Sequence, residues 1–294
     1  GSADVYLVKT DVNGNKLWEK TFGGADKDRA FSVQQTSDGG YIIVGETRSF
    51  GAGGQDVYLI KIDANGNKLW EKTFGGADTD YASSVQQTSD GGYIMAGTTL
   101  SFGAGGADVY LIKTDSNGNS LWWRTFGGAD NDFGRSVQQT ADGGYIVSGE
   151  TRSFGAGEGD IYLIKTDANG NKLWDKTLGG SSIDFAKSVQ QTVDGGYIIA
   201  GGTESFGAGG VDVYLIKTDA NGNKLWDKTF GDVDKKWGEW GMQVQQTTDG
   251  GFITTGYTDF FGAGLLDVYL IYYNRANLKD PKPKAMPWLP LLLD

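Results

Sequence analysis

The chain has 294 residues, 48 of them glycine and 13% aromatic, with no cysteine, no histidine and a formal charge of −11. Those counts exclude disulfides, thiolate nucleophiles, imidazole bases and imidazole or thiolate metal sites. The acidic balance is unsuited to nucleic acid, whose phosphates call for clustered Lys and Arg, and no apolar run is long enough to cross a bilayer.

A period of 52 residues dominates the sequence: Trp18, Trp70, Trp122, Trp174 and Trp226 are evenly spaced, and each is the centre of a similar segment. The first segments in chain order are DVYLVKT from Asp4 and KLWEKTF from Lys16. They are joined by Asp11-Val12-Asn13-Gly14-Asn15, whose Asn-Gly pair predicts a two-residue hairpin turn. The full unit then begins. SVQQTSDGG, from Ser32, ends in the hairpin signal Asp38-Gly39-Gly40, and YIIVGETRS, rich in β-branched residues, leads into the loop Phe50-Gly51-Ala52-Gly53-Gly54. DVYLIKID closes on Ala64-Asn65-Gly66-Asn67, and KLWEKTFGG completes the unit. Only this fourth run alternates apolar and polar residues, which suits an outer edge strand. The second and third runs are nearly continuous apolar stretches, as expected of strands buried on both faces.

Three further copies follow. The fifth carries a three-residue insertion around Lys235-Lys236-Trp237-Gly238-Glu239-Trp240 and stops after its third run, at Tyr273. A period of this size made of short strands predicts an all-β propeller of four-stranded blades over residues 1–273. The runs number two, sixteen and three, one more than five blades need, because the third strand occurs both at Asp4 and at Asp267. Five blades is the first expectation, with the N-terminal hairpin completing the last blade and clasping the chain ends together; six blades is the second. The surplus strand is free to pair with another molecule, so the oligomeric state stays open. Residues 274–294, with Pro281, Pro283, Pro287 and Pro290, read as a Pro-rich tail or linker. Two other readings of the tail stay open: that it leads to a membrane anchor beginning at Met286, and that Trp288 packs on the outer blade. Gly1-Ser2 without an initiator Met reads as a preparation remnant, behind which a removed leader would be unseen.

The pattern DGGYI, DVYLIK, NGN, LW and FGG resembles the propeller repeats of uncharacterised secreted or surface proteins of archaea and bacteria, over residues 4–272. Asp63-Ala64-Asn65-Gly66-Asn67-Lys68-Leu69-Trp70 is also similar to the tryptophan-docking motif of quinoprotein-type propellers. The resemblance implies blade-to-blade packing through the tryptophan and an extracellular or cell-surface location. It implies no quinone pocket and no other organic cofactor.

Carboxylates carry what chemistry the composition leaves. The Asp11-type turns look like oxygen-rich calcium loops, but the glycine falls at the fourth place and no Glu follows at the twelfth, so a hairpin turn is the expectation. Asp28, Asp80, Asp132 and Asp184 recur at the glycine-rich end of the ring, either capping loop N–H groups or forming a ring of Ca²⁺ sites. Gln34, Gln35 and their copies place amides near the axis, which predicts a polar, water-filled channel.

In a repeat protein, departures from the repeat are more informative than its constants. At the end of the second run the series is Glu46, Thr98, Glu150, Gly202 and Tyr257, and two places on it is Arg48, Leu100, Arg152, Glu204 and Asp259. Glu46 and Glu150 are the candidate catalytic pair of a carbohydrate-active enzyme, a glycosidase or lyase. Trp237 and Trp240, with Arg48 and Arg152, are the candidate ligand-binding residues, offering rings on which a sugar could stack. The first expectation is a noncatalytic binding or structural module that recognises a glycan or protein through its Gly/Asp-rich end. The carbohydrate-active enzyme and a symmetric scaffold without ligand are the alternatives.

Overall fold

The computed structural model describes residues 2–231, 238–258 and 267–274. Within them every regular element is a β-strand. A hairpin of β1 (Val5–Thr10) and β2 (Lys16–Phe22) is followed by four four-stranded antiparallel sheets. Blade I holds β3 (Asp28–Gln35), β4 (Tyr41–Thr47), β5 (Asp56–Ile62) and β6 (Lys68–Phe74). Blade II holds β7 (Asp80–Gln87), β8 (Tyr93–Thr99), β9 (Asp108–Thr114) and β10 (Ser120–Phe126). Blade III holds β11 (Asp132–Gln139), β12 (Tyr145–Thr151), β13 (Asp160–Thr166) and β14 (Lys172–Leu178). Blade IV holds β15 (Asp184–Gln191), β16 (Tyr197–Thr203), β17 (Asp212–Thr218) and β18 (Lys224–Phe230). A three-stranded sheet of β19 (Trp240–Gln246), β20 (Phe252–Thr258) and β21 (Asp267–Tyr273) ends the array.

Repeated four-stranded sheets stacked face to face, with first strand next to first strand, are the architecture of a propeller. The middle strands β8, β9, β12, β13, β16 and β17 are buried along their whole length, as their unbroken apolar runs predict. Each seam between blades has its own core. Ile94, Val109 and Leu111 of blade II meet Tyr145, Val147 and Ile164 of blade III, and the same columns meet at the neighbouring seams.

The tryptophans act across the seams. Trp122 of blade II lies 5.9 Å from the Tyr145 ring of blade III and directly under the Asn-Gly turn of that blade, where Gly170 sits at φ +77°. A side chain at Gly170 would collide with the indole, so glycine is required there both for the left-handed backbone and for the close approach. Trp70 meets Gly118 in the same way. This is the tryptophan docking that the sequence resemblance implied.

The glutamines are also used at the seams. Gln34 Oε1 accepts the Gln87 N–H at 2.6 Å, Gln86 Oε1 that of Gln139 at 2.6 Å, and Gln138 Oε1 that of Gln191 at 2.5 Å. A second set returns the bond, with the Ser37 N–H donating to Gln87 Oε1 at 2.8 Å. These amides zip neighbouring inner strands together through the backbone: a carbonyl that can reach an inner strand's unpaired N–H removes a buried orphan donor.

At the two ends of the chain, no ladder among the described strands joins the hairpin to the last sheet. β21 takes the edge of β20, while β1 pairs with β2 alone among the described strands. The hairpin packs Val5, Leu7, Trp18 and Phe22 onto blade I, in the position a preceding blade would hold. Its first and second strands have no counterpart there, so Val33 is 51% exposed where Val85 in the next copy is 6% exposed. The tail after Asn274 lies outside the described residues.

Candidate site at the channel mouth

The inner strands share one irregularity. The ladder between first and second strand slips by a residue between Ala30 and Ser32, Ala82 and Ser84, Gly134 and Ser136, Ala186 and Ser188, and Gly241 and Gln243. A bulge of this kind leaves one residue without a cross-strand partner and re-aims it. The bulged residues are Phe31, Ser83, Arg135, Lys187 and Met242, no two of them alike. Two places earlier stand Arg29, Tyr81, Phe133, Phe185 and Trp240, paired with Glu46, Thr98, Glu150, Gly202 and Tyr257. The positions where the units differ thus adjoin one another at one end of the inner strands, beside the invariant Ser-Val-Gln-Gln of the first four blades.

These residues touch across blades. Trp240 stacks on Tyr257, with centroids 5.6 Å apart and planes at 19°, and lies 4.7 Å from the Phe185 ring of blade IV. The Lys187 ammonium sits over both Phe185 and Trp240, 5.1 and 5.7 Å from their centroids, and Arg135 covers Phe133 at 5.3 Å. On the first two blades Phe31 meets Tyr81 edge-on at 6.4 Å. Burial, and then the nearby Arg135 charge, bring the Lys187 ammonium down to about 8, against an opposing pull from Glu150.

The carboxylates singled out by sequence belong to the same ring. Glu46 is 7% exposed and ion-paired with Arg29 at 3.3 Å; Glu150 is 9% exposed and paired with Arg152 at 3.1 Å. They stand on blades I and III, with blade II between them, and each is occupied by its own arginine. Arg48 is exposed at the surface. Trp240 is part of the inner strand β19, while Trp237 and Asp259 lie outside the described residues. Sequence reasoning missed Tyr81, Phe133, Arg135, Phe185 and Lys187. Aligning the copies DRAFSVQQ, DYASSVQQ, DFGRSVQQ and DFAKSVQQ shows their variable columns.

Asp28, Asp80, Asp132 and Asp184 are fully buried, each at the start of the first strand of its own blade. Asp28 Oδ2 accepts the Gly24 N–H at 2.8 Å and the Ser49 hydroxyl at 2.7 Å, and Thr47 donates to Oδ1; Asp80 Oδ2 is held by Gly76 and Ser101 in the same way. This is loop capping. Among the described residues no three acidic side chains gather where they could hold a metal. The Asp11-type turns likewise consume their carboxylates, with Asp11 Oδ1 accepting the N–H groups of Asn13 and Asn15. At the blade seams burial raises Asp56 above the ordinary carboxylate range, with the adjacent Asp80 adding to it.

At the opposite end blades I to IV are uniform in their buried ion pair, and the last sheet carries Tyr272 in place of the lysine. Lys61, 4% exposed, is bound by Asp38, Thr36 and the Ile62 carbonyl, and Lys113, Lys165 and Lys217 repeat its pairing with an aspartate. A cavity of about 340 Å³ opens here beside Trp226 and Phe252, but its charged groups, Asp194 and Lys217, are already joined at 3.0 Å.

Comparison with known proteins adds to the fold and little else. No family model matches the chain. Residues of this chain are 28% identical over 157 positions to the regulatory protein FlaEY of Caulobacter vibrioides, a match covering 45% of this chain and 16% of that much longer protein. A crystal structure of a protein of unknown function from Bacteroides caccae superposes with a TM-score of 0.51 at 14% identity, covering 87% of this chain and 84% of that one. The WD40 domain of Neurospora crassa Pan2 gives a TM-score of 0.45 at 10% identity, covering 91% and 86% of the two chains. The likeness to the Bacteroides caccae protein is one of architecture alone.

Proposed function

We propose that this chain is a noncatalytic binding propeller of a secreted or surface protein, and that it takes a glycan at the mouth of its channel. The observation that carries the reading is the convergence of the non-repeating residues. Four nearly identical blades and a fifth partial unit keep most of their seam residues apolar, yet differ in size, charge and aromaticity at the bulged and neighbouring positions of every inner strand, which in this reading face a single ligand. Trp240 and Tyr257, stacked and partly exposed, supply an aromatic surface of the type that suits a sugar face, with Phe185 buried against Trp240, and the bulges present polar groups beside it. The two carboxylates are tied to arginines on nonadjacent blades, an arrangement suited to holding shape.

A glycan array probed with the parent chain and with Trp240→Ala tests the reading. Binding by the parent that is lost in the variant supports it, and a parent that binds no glycan rejects it. Turnover of a bound polysaccharide, abolished by Glu46→Gln or Glu150→Gln, would establish an enzyme instead.

The blade count belongs to the same proposal. The hairpin fills the slot before blade I and the three-stranded sheet fills the slot after blade IV; in a five-bladed ring those slots coincide, with one third strand in surplus. A Leu7→Cys/Thr255→Cys pair would then crosslink within one molecule, whereas with six blades it would not.

A further inference from the structure

We propose that the ligand at the inner strands is an acidic glycan, a uronate, whose carboxylate is bound by Arg135, which lies over Phe133, and by Lys187, which lies over Phe185 and Trp240. This rests on the glycan-binding reading and specifies its chemical class. The mouth carries two kinds of cation. Arg29 and Arg152 are each paired with a glutamate, at 3.3 and 3.1 Å, and their charge is cancelled in place. Arg135 and Lys187 are bulged residues on adjacent inner strands, are half-buried, and form no ion pair among the described residues.

Two like charges placed side by side on rings, in a chain whose overall charge is −11, are held against their mutual repulsion. An aromatic face offsets only part of that cost. A carboxylate entering between them would relieve it, accepting from the planar guanidinium and the ammonium together while the sugar ring lies on the aromatic surface. The carboxylates of these strands do not replace such a ligand: Glu150, whose charge acts on Lys187, is held by Arg152; Asp184, at the start of β15, is capped by its own loop; and Glu239, next to Trp240 in the chain, accepts from Thr258. Burial lowers the Lys187 ammonium to about 8, so the site keeps its full charge only below that pH.

The experiment uses an array carrying galacturonate, glucuronate and mannuronate oligosaccharides beside their methyl esters, which keep the sugar ring and lose the charge. Sulfated glycans without carboxylates are included. Titration calorimetry follows with the tightest binder on the whole chain, Arg135→Gln, Lys187→Met and Trp240→Ala. We expect the acid form to bind at least about tenfold more tightly than its ester, since one charge-assisted hydrogen bond is worth about that factor. Arg135→Gln and Lys187→Met should each weaken the acid form by about tenfold and leave the ester unchanged, whereas Trp240→Ala should weaken both. Raising the pH from about 7 to about 9 should weaken the acid form in the parent and not in Lys187→Met. Equal binding of acid and ester, preference for sulfated glycans, or loss of both forms in the cation variants overturns the proposal while leaving glycan binding intact. An array with no binder of any kind overturns both.

Discussion

The two ends of the propeller are built from the same strands and have been treated differently. At the end of the Asp-Gly-Gly and Asn-Gly turns, blades I to IV carry the same residues in the same contacts: a buried lysine, an aspartate, a threonine and a docked tryptophan. At the channel mouth the residues change from blade to blade while the backbone, with its bulge, does not. The difference separates the groups that hold blades together from those that are free to vary, and it makes the separation open to experiment.

The largest effect is expected in the seam. Tyr145 is 2% exposed, faces Trp122 and belongs to the core between blades II and III. Tyr145→Ala should lower stability by about 3–5 kcal/mol, the range for truncating a large buried aromatic residue. A urea titration would read this as a lower midpoint, while glycan binding by the residual folded protein should be unchanged. The seam tyrosines also define an alkaline limit. Burial, and then a neighbouring aspartate, raise Tyr93, Tyr145 and Tyr197 to about 12. Between about pH 10, where unfolded tyrosine ionises, and pH 12 the native state binds more protons than the unfolded one, so stability falls as pH rises through that window. Unfolding midpoints that stay level from pH 9 to 12 would contradict this.

Next in size is the buried lysine. Asp142→Ala leaves the Lys165 ammonium, 4% exposed, with the Thr166 carbonyl and without its carboxylate. The aspartate itself is mostly exposed, so solvent screening reduces the loss to about 2 kcal/mol. The pH dependence has the opposite sign from that of the tyrosines. Hydrogen bonds from Thr36, then Lys61 and Gly40, hold Asp38 down to about 2. Its contribution is present above the ordinary aspartate range and is lost as pH falls toward about 2, because there the unfolded state binds more protons. Acid unfolding should therefore begin below about pH 4, and earlier at high salt. Gly118→Ala comes third, at about 1–2 kcal/mol, since it forces an L side chain to φ +76° and into Trp70.

Much of this was legible in the sequence, and for a physical reason. Turn residues and apolar runs act locally, so Asn65-Gly66, Asp38-Gly39 and the Trp70 spacing announce the blade and its docking before any contact is known. The mouth was legible only in part. Glu46, Glu150 and Trp240 stood out as departures, but Phe133, Phe185 and Lys187 lie between an invariant aspartate and an invariant Val-Gln-Gln and read as ordinary strand. What makes them meet is the bulge, which neither glycine nor proline marks in blades I, II and IV, and the stacking of blades, which brings residues 52 or 55 places apart to one ring. The sequence left the glutamines' partners open among other amides, backbone and water, because those partners are set by the neighbouring blade's unpaired N–H groups.

The smallest effect on stability is the most discriminating. Replacing the mouth of blade III by that of blade II requires Phe133→Tyr, Arg135→Ser and Glu150→Thr, after which the two blades match at those positions. Blade II already folds with Tyr81, Ser83 and Thr98 on the same bulge and the same ladder, so the exchanged blade meets no new backbone geometry. The triple variant also removes the partner of Arg152, but it takes the buried carboxylate away entirely and leaves the unpaired charge on Arg152, which is nearly half exposed and can be solvated. The denaturation midpoint should therefore move by no more than about 1 kcal/mol in stability, the range of substitutions that disturb neither core nor cap. Glycan binding, by contrast, should fall by at least the factor lost in Arg135→Gln alone. If the exchange cost as much as Tyr145→Ala, the mouth would be part of what holds the blades together, and the separation between the two ends of the ring would fail.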